Sequence, residues 1–288
     1  MLKNIRTIKT NINELEGFHD LIRAYQEIAS IRMKKSRTSV LSSREFMESI
    51  NEIFEEVRRS YAEKTRQLLR RRSQTQAITF LAHNSKTVAV LISSNTGLYG
   101  QIVPSTFEMF LNEIRASDSE VTIIGRHGLS LFLKLLPDHP YTFFELSDAN
   151  VAPSDLDIII RHIVQYEEIR IFYGRFLNIV SQEPATFNIM ANIKLSDEDI
   201  GPQVPYIFEP SLETILQFFE TEIFASMFEQ IVREGELAKN ASRVISMDQA
   251  DINIKLKIKN LKLIALRSRH EKANKKQLAA LAHLNQFI

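Results

Sequence analysis

The side chains able to do chemistry are scattered rather than assembled. Asn95-Thr-Gly-Leu-Tyr-Gly100 follows an apolar run and leads towards a helical pattern, the place where phosphate-cradling loops sit in α/β folds. Its two glycines are three apart, so it matches neither the dinucleotide fingerprint nor the P-loop. A tight turn in a sheet domain is the simpler reading. The seven histidines (His19, His83, His127, His139, His162, His270 and His283) never fall at metal-ligand spacing, and there is no His-Glu-x-x-His. The adjacent acids Glu55-Glu56 and Glu167-Glu168 point to different helix faces and do not converge on one bond. No Gly-x-Ser-x-Gly marks a nucleophile elbow. With no Cys there is no thiolate nucleophile, disulfide or Cys-based zinc site. Asn240-Ala-Ser242 matches the glycosylation pattern by chance, since no secretion signal accompanies it. The basic cluster Arg32-Met-Lys-Lys-Ser-Arg37 lacks the interleaved aromatics on which bases stack. It reads as a solvated or partner-facing helix surface. The expectation is a non-catalytic chain with no cofactor, no metal and no nucleic-acid partner.

What would position such residues is written in the punctuation. All eight prolines fall between Pro104 and Pro210, and six of the eight glycines between Gly97 and Gly201. Both residue types interrupt or weaken helices, so the two flanks can run as long helices. In the first, Ile5, Ile8, Ile12, Leu15, Phe18, Leu21, Ile22, Tyr25 and Ile28 recur every three or four residues, followed by Phe46, Ile50, Ile53, Phe54, Val57 and Tyr61. In the second, Ile215, Leu216, Phe219, Ile223, Met227 and Ile231 lead to Val244, Met247, Ile254, Leu256, Leu261, Ile264, Leu278 and Leu281. Each helix has one greasy stripe and no core, and antiparallel pairing hides both stripes. The middle alternates strands with helices. Strands are expected at 86–94, 120–125, 141–145, 168–173 (extended by 176–180) and 185–193. Helices are expected at 104–115, 128–136 and from a Ser154 cap to about Tyr166. That pattern implies a mostly parallel, Rossmann-like sheet. The expected division is 1–72 for the first coiled-coil helix, 73–209 for the α/β domain and 210–288 for the second helix.

The net charge of +1 conceals an asymmetry. Residues 1–72 carry 16 basic and 10 acidic side chains, 73–210 carry 8 and 16, and 211–288 carry 12 and 9. From Ile252 onward the only acid is Glu271. Basic ends suit acidic partner loops. No run approaches the roughly 18 apolar residues that a membrane span needs, so any membrane association is expected to come through partners.

Several segments, in order along the chain, resemble the γ-subunit family of F-type ATP synthases. Ile28-Ala-Ser-Ile-Arg-Met-Lys-Lys-Ser36 is similar to its Val-Ala-Ala-Ser-Lys-Met-Arg-Lys-Ser. Ser93-Ser-Asn-Thr-Gly-Leu-Tyr-Gly100 resembles Ser-(Thr/Ser)-Asp-Arg-Gly-Leu-Cys-Gly, and Ile124-Gly-Arg-His-Gly128 resembles Ile-Gly-x-Lys-Gly. Phe176-Leu-Asn-Ile-Val-Ser-Gln-Glu-Pro184 resembles Phe-x-Asn-x-x-x-Gln-x-Pro, and Phe208-Glu-Pro210 resembles Tyr-Glu-Pro. Arg243-Val-Ile-Ser-Met247 resembles Arg-Met-x-Ala-Met, and Arg269-His270 falls where the family has Arg-Gln. The departures are Asn95 and Thr96 for Asp and Arg, Tyr99 for Cys, Lys239 for Glu, and Ala273, Asn274 and Lys276 for Ile, Thr and Glu near the end.

The resemblance implies a central-stalk rotor between a catalytic ring of α and β subunits, an ε subunit and a membrane ring of c subunits, at the cytoplasmic face of the cell membrane. It implies ring and shaft contacts at Ile5, Arg6, Ile8, Ile12, Tyr25, Arg32, Lys34, Lys35, Arg243, Arg267, Arg269, His270 and Asn274. Foot contacts are implied at Phe208, Glu209, Phe218 and Phe224, with Phe218, Phe224 and Phe228 equally readable as core. Two alternatives stand beside it: a diverged γ-like shaft of a different rotary ATPase, and a free-standing nucleotide-binding α/β protein with a helical dimerisation arm.

Overall fold

The computed structural model describes residues 5–60, 84, 86–148, 151–188 and 212–284. Two helices dominate it: α1 (Ile5–Ser60) and a 73-residue helix near the end of the chain, α5 (Leu212–Leu284). Between them lie β1 (Thr87–Ile92), α2 (Ile102–Ala116), β2 (Glu120–Ile124), α3 (Arg126–Leu135), β3 (Thr142–Phe144), α4 (Pro153–Ile163), β4 (Glu168–Phe176) and β5 (Gln182–Asn188). These residues make two compact units: 31–242, and 1–30 with 243–288.

In the first unit the strands form one sheet in the order β3-β2-β1-β4-β5. The first four run parallel and β5 runs antiparallel to β4, the Rossmann-like arrangement expected. The short apolar runs of β1 and β2 are buried almost throughout, as they must be when both faces of a parallel sheet are covered. On one face Ala89, Leu91, Val121, Ile123 and Phe172 meet Phe107, Phe110 and Leu111 of α2 and Phe132 of α3. On the other Val88, Val90, Ile92, Ile169, Ile171 and Tyr173 meet Leu156, Ile159 and Ile163 of α4. That second face is completed by α5, through Phe224, Phe228, Ile231 and Val232. The last helix is therefore part of the α/β core before it is anything else.

Local details differ from the sequence expectation. Ser154 caps nothing: Ala152 stands at the N-cap without a side-chain bond, and Pro153, whose missing N–H costs nothing there, opens α4. β4 runs on through Phe176, but residues 177–180 do not extend it as strand. The chain turns there, with Asn178 Oδ1 accepting the N–H groups of Val180 at 2.9 Å and Ser181 at 2.8 Å, so the return strand starts earlier, at Gln182. Residues 189–193, expected in that strand, lie outside the described residues.

In the second unit α1 and α5 pair antiparallel. On α1 the seam runs through Ile8, Ile12, Leu15, His19, Ile22, Gln26 and Ala29, with Ile5 and Ser30 half-buried at its ends. On α5 the seam runs through Val244, Met247, Asp251, Ile254, Ile258, Leu261, Ala265 and Ser268, with Arg243, Ser246 and Ala250 also covered beside it. Both series alternate steps of three and four, the 3.5-residue seam of a left-handed coiled coil. The expected seam is therefore corrected: Phe18, Leu21, Tyr25 and Ile28 are exposed, as are Leu256, Ile264, Leu278 and Leu281. Polar residues take seam places instead. His19 Nε2 lies 2.9 Å from Asp251 Oδ1, and Lys255 Nζ donates to Asp251 Oδ2 at 2.6 Å. Gln26 reaches Asp248 at 3.5 Å. Lys262 Nζ donates to Glu16 at 2.9 Å on the flank.

Two glycines separate strain from simple exposure. Gly125 has φ +104°, and a Cβ there would sit 2.8 Å from the backbone of Ser94. Gly17 lies inside α1 with nothing within 4 Å of a Cβ. Gly125→Ala is expected to cost about 2 kcal/mol or more through backbone strain and collision. Gly17→Ala is expected to stabilise by about 0.5–1 kcal/mol through helix propensity. Urea unfolding of the full-length chain measures both.

Candidate functional site

The strand order reverses around β1, which lies between β2 and β4. The crevice beyond the carboxyl ends of those strands is where open α/β sheets hold ligands. Here the loop 93–100 leaves β1 through a sharp turn, with Leu98 at φ 68° and Gly100 at φ 65°. The backbone N–H of Asn95 donates to both carboxylate oxygens of Asp148, at 3.1 and 2.9 Å. The N–H of Thr96 donates to the same carboxylate at 3.1 Å, and the Thr96 hydroxyl at 3.3 Å. Successive N–H groups turned to one point form an anion cradle, and its anion is a side chain of the protein itself. The Asn95 amide donates to Leu146 O at 2.7 Å and accepts the N–H of Arg126 at 3.1 Å. Loop, β3–α4 connection and α3 are thus tied together. Gly128 allows the closeness: a Cβ on it would meet the Ser93 side chain at 2.6 Å.

Into this crevice α5 sends Lys239. Its Nζ donates to Ser93 O at 2.8 Å, lies 3.8 Å from Asp148 Oδ1 and sits 5.9 Å from the centre of the Tyr99 ring. Lys239 is only 7% exposed, so the cation depends on these partners for what water would otherwise supply. Relative to the family pattern quoted above, the loop has given up its charges at Asn95 and Thr96, and the helix brings a cation where the family brings an acid. Neighbouring residues of α5 are equally committed. The Glu234 carboxylate accepts the Phe176 N–H at 3.3 Å. Gly174 leaves room for Ile102 and Ala238, which a Cβ would meet at 2.7 and 3.5 Å. From α1, Arg32 donates to Asp148 O at 3.5 Å. The loop, read from the sequence as a tight turn, is filled from inside by Asp148 and Lys239.

The expected partner contacts divide. Arg6, Lys34, Lys35, Arg267, Arg269, His270 and Asn274 are exposed, and Ile5 and Arg32 are half-buried. Ile8 and Ile12 belong to the seam with Ala265, and offer no surface of their own. Arg243 is buried and stacks 5.8 Å from the centre of the exposed Tyr25 ring. Phe224 and Phe228 are sheet-covering core and not foot surface. Phe208, Glu209 and the side chain of Phe218 lie outside the described residues. The chain of residues 269–281 is exposed all round. Two further features escaped the reading of the sequence. One is the Lys239–Asp148 pairing, signalled only by the departure at Lys239. The other is the β4–β5 hairpin tip, where Leu177, Ile179 and Val180 are exposed.

The helix pair itself carries two exposed apolar rows. On α1 they are Phe18, Leu21, Tyr25 and Ile28; on α5, Ile245, Ile252, Leu256 and Leu263. The second set is spaced i, i+7, i+11 and i+18, one side of a helix with 3.6 residues per turn. Contiguous apolar surface of this kind marks an interaction face.

One half-buried acid reports on the crevice. Glu236, three residues before Lys239, is pushed above its ordinary carboxyl range by burial, and Asp148 adds to the shift; Lys239, Arg233 and Arg32 oppose it. Its Oε1 has no hydrogen-bond partner among the described residues. An acid with a raised folded-state pKa penalises folding once ionised, and the penalty disappears as pH falls through that pKa towards the unfolded value. Glu236→Gln is therefore expected to melt higher than the wild type at pH 8. The gap should close in acid, below the raised pKa, as thermal unfolding across pH 4–8 will show.

Comparison with known proteins places the chain. The family model described as ATP synthase matches residues 4–275. The ATP synthase gamma chain of Mycoplasma capricolum subsp. capricolum is 26% identical over 263 residues, 88% of each chain. That of Desulforamulus reducens is 24% identical over 281 residues, 93% of each. Among solved structures, a chain of the Euglena gracilis mitochondrial ATP synthase rotor superposes with TM-score 0.63 at 15% identity, covering 93% of this chain and 98% of that one. A chain of the Tetrahymena thermophila mitochondrial ATP synthase central stalk and c-ring gives 0.56 at 18%, covering 80% and 99%. These structural likenesses carry the fold: paired terminal helices around an α/β domain. No described helix is long and apolar enough to cross a membrane. The family match spans nearly the whole sequence, so the chain belongs to the ATP synthase family and, at the level of that family, has the character of its gamma chains.

Proposed function

We propose that this chain is the central-stalk rotor subunit of an F-type ATP synthase, coupling ion flow through the membrane sector to ATP synthesis or hydrolysis in an α/β hexamer. The observation that carries this reading is the pair of exposed apolar rows on a helix pair whose own seam is already closed. A free coiled coil would leave such rows in water, whereas a sleeve of subunits covers them. Basic residues lie beside them: Lys255, Lys257, Lys259, Lys262, Arg267 and Arg269 follow Ile252 within α5. They complement acidic loops on catalytic subunits, which adds specificity and rate of encounter more than affinity. The chain itself catalyses nothing. An asymmetric helix pair inside a threefold arrangement touches each catalytic site differently and so biases each towards a different state. Rotation exchanges the three states, and the coupling free energy works in both directions. Residues 73–209 serve as the foot, towards ε and the c ring. The protein resides peripherally at the cytoplasmic face of the cell membrane, held there by those partners.

The test is assembly with the α and β subunits of its own organism, followed by an assay of ATP hydrolysis. One copy of the chain per hexamer, with hydrolysis that falls severalfold on removing residues 269–288, is the expected result. Phe18→Ser with Leu21→Ser should also slow hydrolysis. Helix unfolding of the chain should shift little, since exposed positions contribute within about 0.5 kcal/mol each. Failure to assemble with those subunits overturns the assignment. Recovery of a different ATPase ring by the tagged chain would favour a diverged shaft, the reading that the altered residues Ala273, Asn274 and Lys276 motivate.

A further inference from the structure

The apolar packing of α5 on the sheet, through Phe224, Phe228, Ile231 and Val232, is non-directional. It holds the helix down but resists rolling or sliding weakly. The directional attachment lies one to two turns further on. There Lys239 bonds the last carbonyl beyond β1 at Ser93 and lies beside Asp148. Asp148 in turn holds the amides of Asn95 and Thr96, and Asn95 holds Leu146 and the start of α3. Three separate segments of the α/β domain (the loop after β1, the β3–α4 connection and the start of α3) are thereby referred to one side chain of the helix. We propose that Lys239 is the positioning residue that locks α5 into the switch point of the sheet, so that a twisting load on the α/β domain turns the helix instead of rolling over it. The lock deepens the rotor reading and rests on it for its function, but not for its geometry. Lys239 touches no catalytic site; it acts through Asp148 and the loop 93–100.

The lock should fail in a specific way. Lys239→Gln removes the charge and leaves Asp148 in a crevice with the loop amides and the Thr96 hydroxyl. The apolar cover from Phe224 to Val232 remains, so the chain still folds and assembles. In membrane vesicles carrying the whole complex, ATP hydrolysis and ATP-driven ion uptake are measured on the same sample. Lys239→Gln is expected to keep most of the hydrolysis while uptake per ATP falls severalfold. Lys239→Arg should keep both. Lys239→Glu alone should be worse than Lys239→Gln, because it faces Asp148 with a like charge. Adding Thr96→Arg should recover part of that loss, since residue 96 already lies against Asp148 and an Arg there reaches both acids. A second measurement needs no partners. Amide hydrogen exchange at Asn95 and Thr96 in the purified full-length chain should quicken in Lys239→Gln and not in Lys239→Arg. Unchanged uptake per ATP in Lys239→Gln overturns the lock. So does an equal fall of assembly, hydrolysis and uptake, which would make Lys239 an ordinary stability residue. If the wild-type chain forms no complex, the rotor reading falls separately, and unchanged exchange at Asn95 and Thr96 then overturns the lock by itself.

Discussion

One helix has to satisfy two different packing partners. Along α5, Phe224 to Val232 cover a sheet. Leu237 and Ala241 then pack with Met33 and Val40 of α1, and a 3.5-residue seam follows from Val244. A sheet asks for a broad apolar face and a coiled coil for a narrow stripe. Between the two demands, from Ile231 to Ser242, nearly every position is buried. Small residues make that possible. A Cβ on Gly235 would lie 3.8 Å from Ile92, and Ala238 and Ala241 are fully buried. A glycine inside a helix costs about 1 kcal/mol against alanine, which close approach to the sheet can offset. Within this unit the handover sets which face of α5 meets the sheet and which meets Met33 and Val40.

The handover is not apolar. Glu234, Lys239, Asn240 and Ser242 are buried within it, and a buried ion pair is seldom more stable than well-packed hydrocarbon of the same volume. Its advantage is geometric. Leu or Met side chains at 239 would accept several rotations of the helix, whereas the Lys239 ammonium reaches Ser93 O and Asp148 in one. The cost of a wrong alignment is an uncompensated buried charge, and that penalty singles out one arrangement. The same reasoning applies in the helix pair, where His19 beside Asp251 allows one register and penalises a slip of half a heptad.

Much of the fold was legible because its signals are local. The apolar runs at Val88 to Ile92 and Val121 to Ile124, and the absence of Pro from the flanks, name sheet and helices without further context. The order of strands, the cover supplied by α5 and the partner of Lys239 are not local. Asp148 stands 91 residues from Lys239 (239 minus 148), and nothing in either neighbourhood points to the other. The seam was misread by one position, and the reason is instructive. From Leu15, both Phe18, Ile22, Tyr25 and His19, Ile22, Gln26 are permitted helical steps to Ala29. Hydrophobicity alone chooses the aromatics, but the structure chooses His19 and Gln26. The site residues divide in the same way: Ile8 and Ile12, read both as stripe and as ring contacts, lie in the seam, while Phe224 was read as either foot or core and is core.

That inversion is itself an argument about function. A helix pair optimised to stand in water would turn Phe18 and Tyr25 inward and His19 and Gln26 outward, a roll of less than one residue that keeps Leu15, Ile22 and Ala29 at the seam. This chain does the reverse, and the rows on α5 at Ile245, Ile252, Leu256 and Leu263 do the same. Places where local preference and packing disagree are where function is expected to intrude. Polar seam residues weaken the pair but fix its register. Apolar outer residues weaken it as a free body but give a surrounding sleeve something to hold. Under the rotor reading proposed above, both concessions suit a helix pair that is stabilised from outside and keeps one alignment while it is loaded.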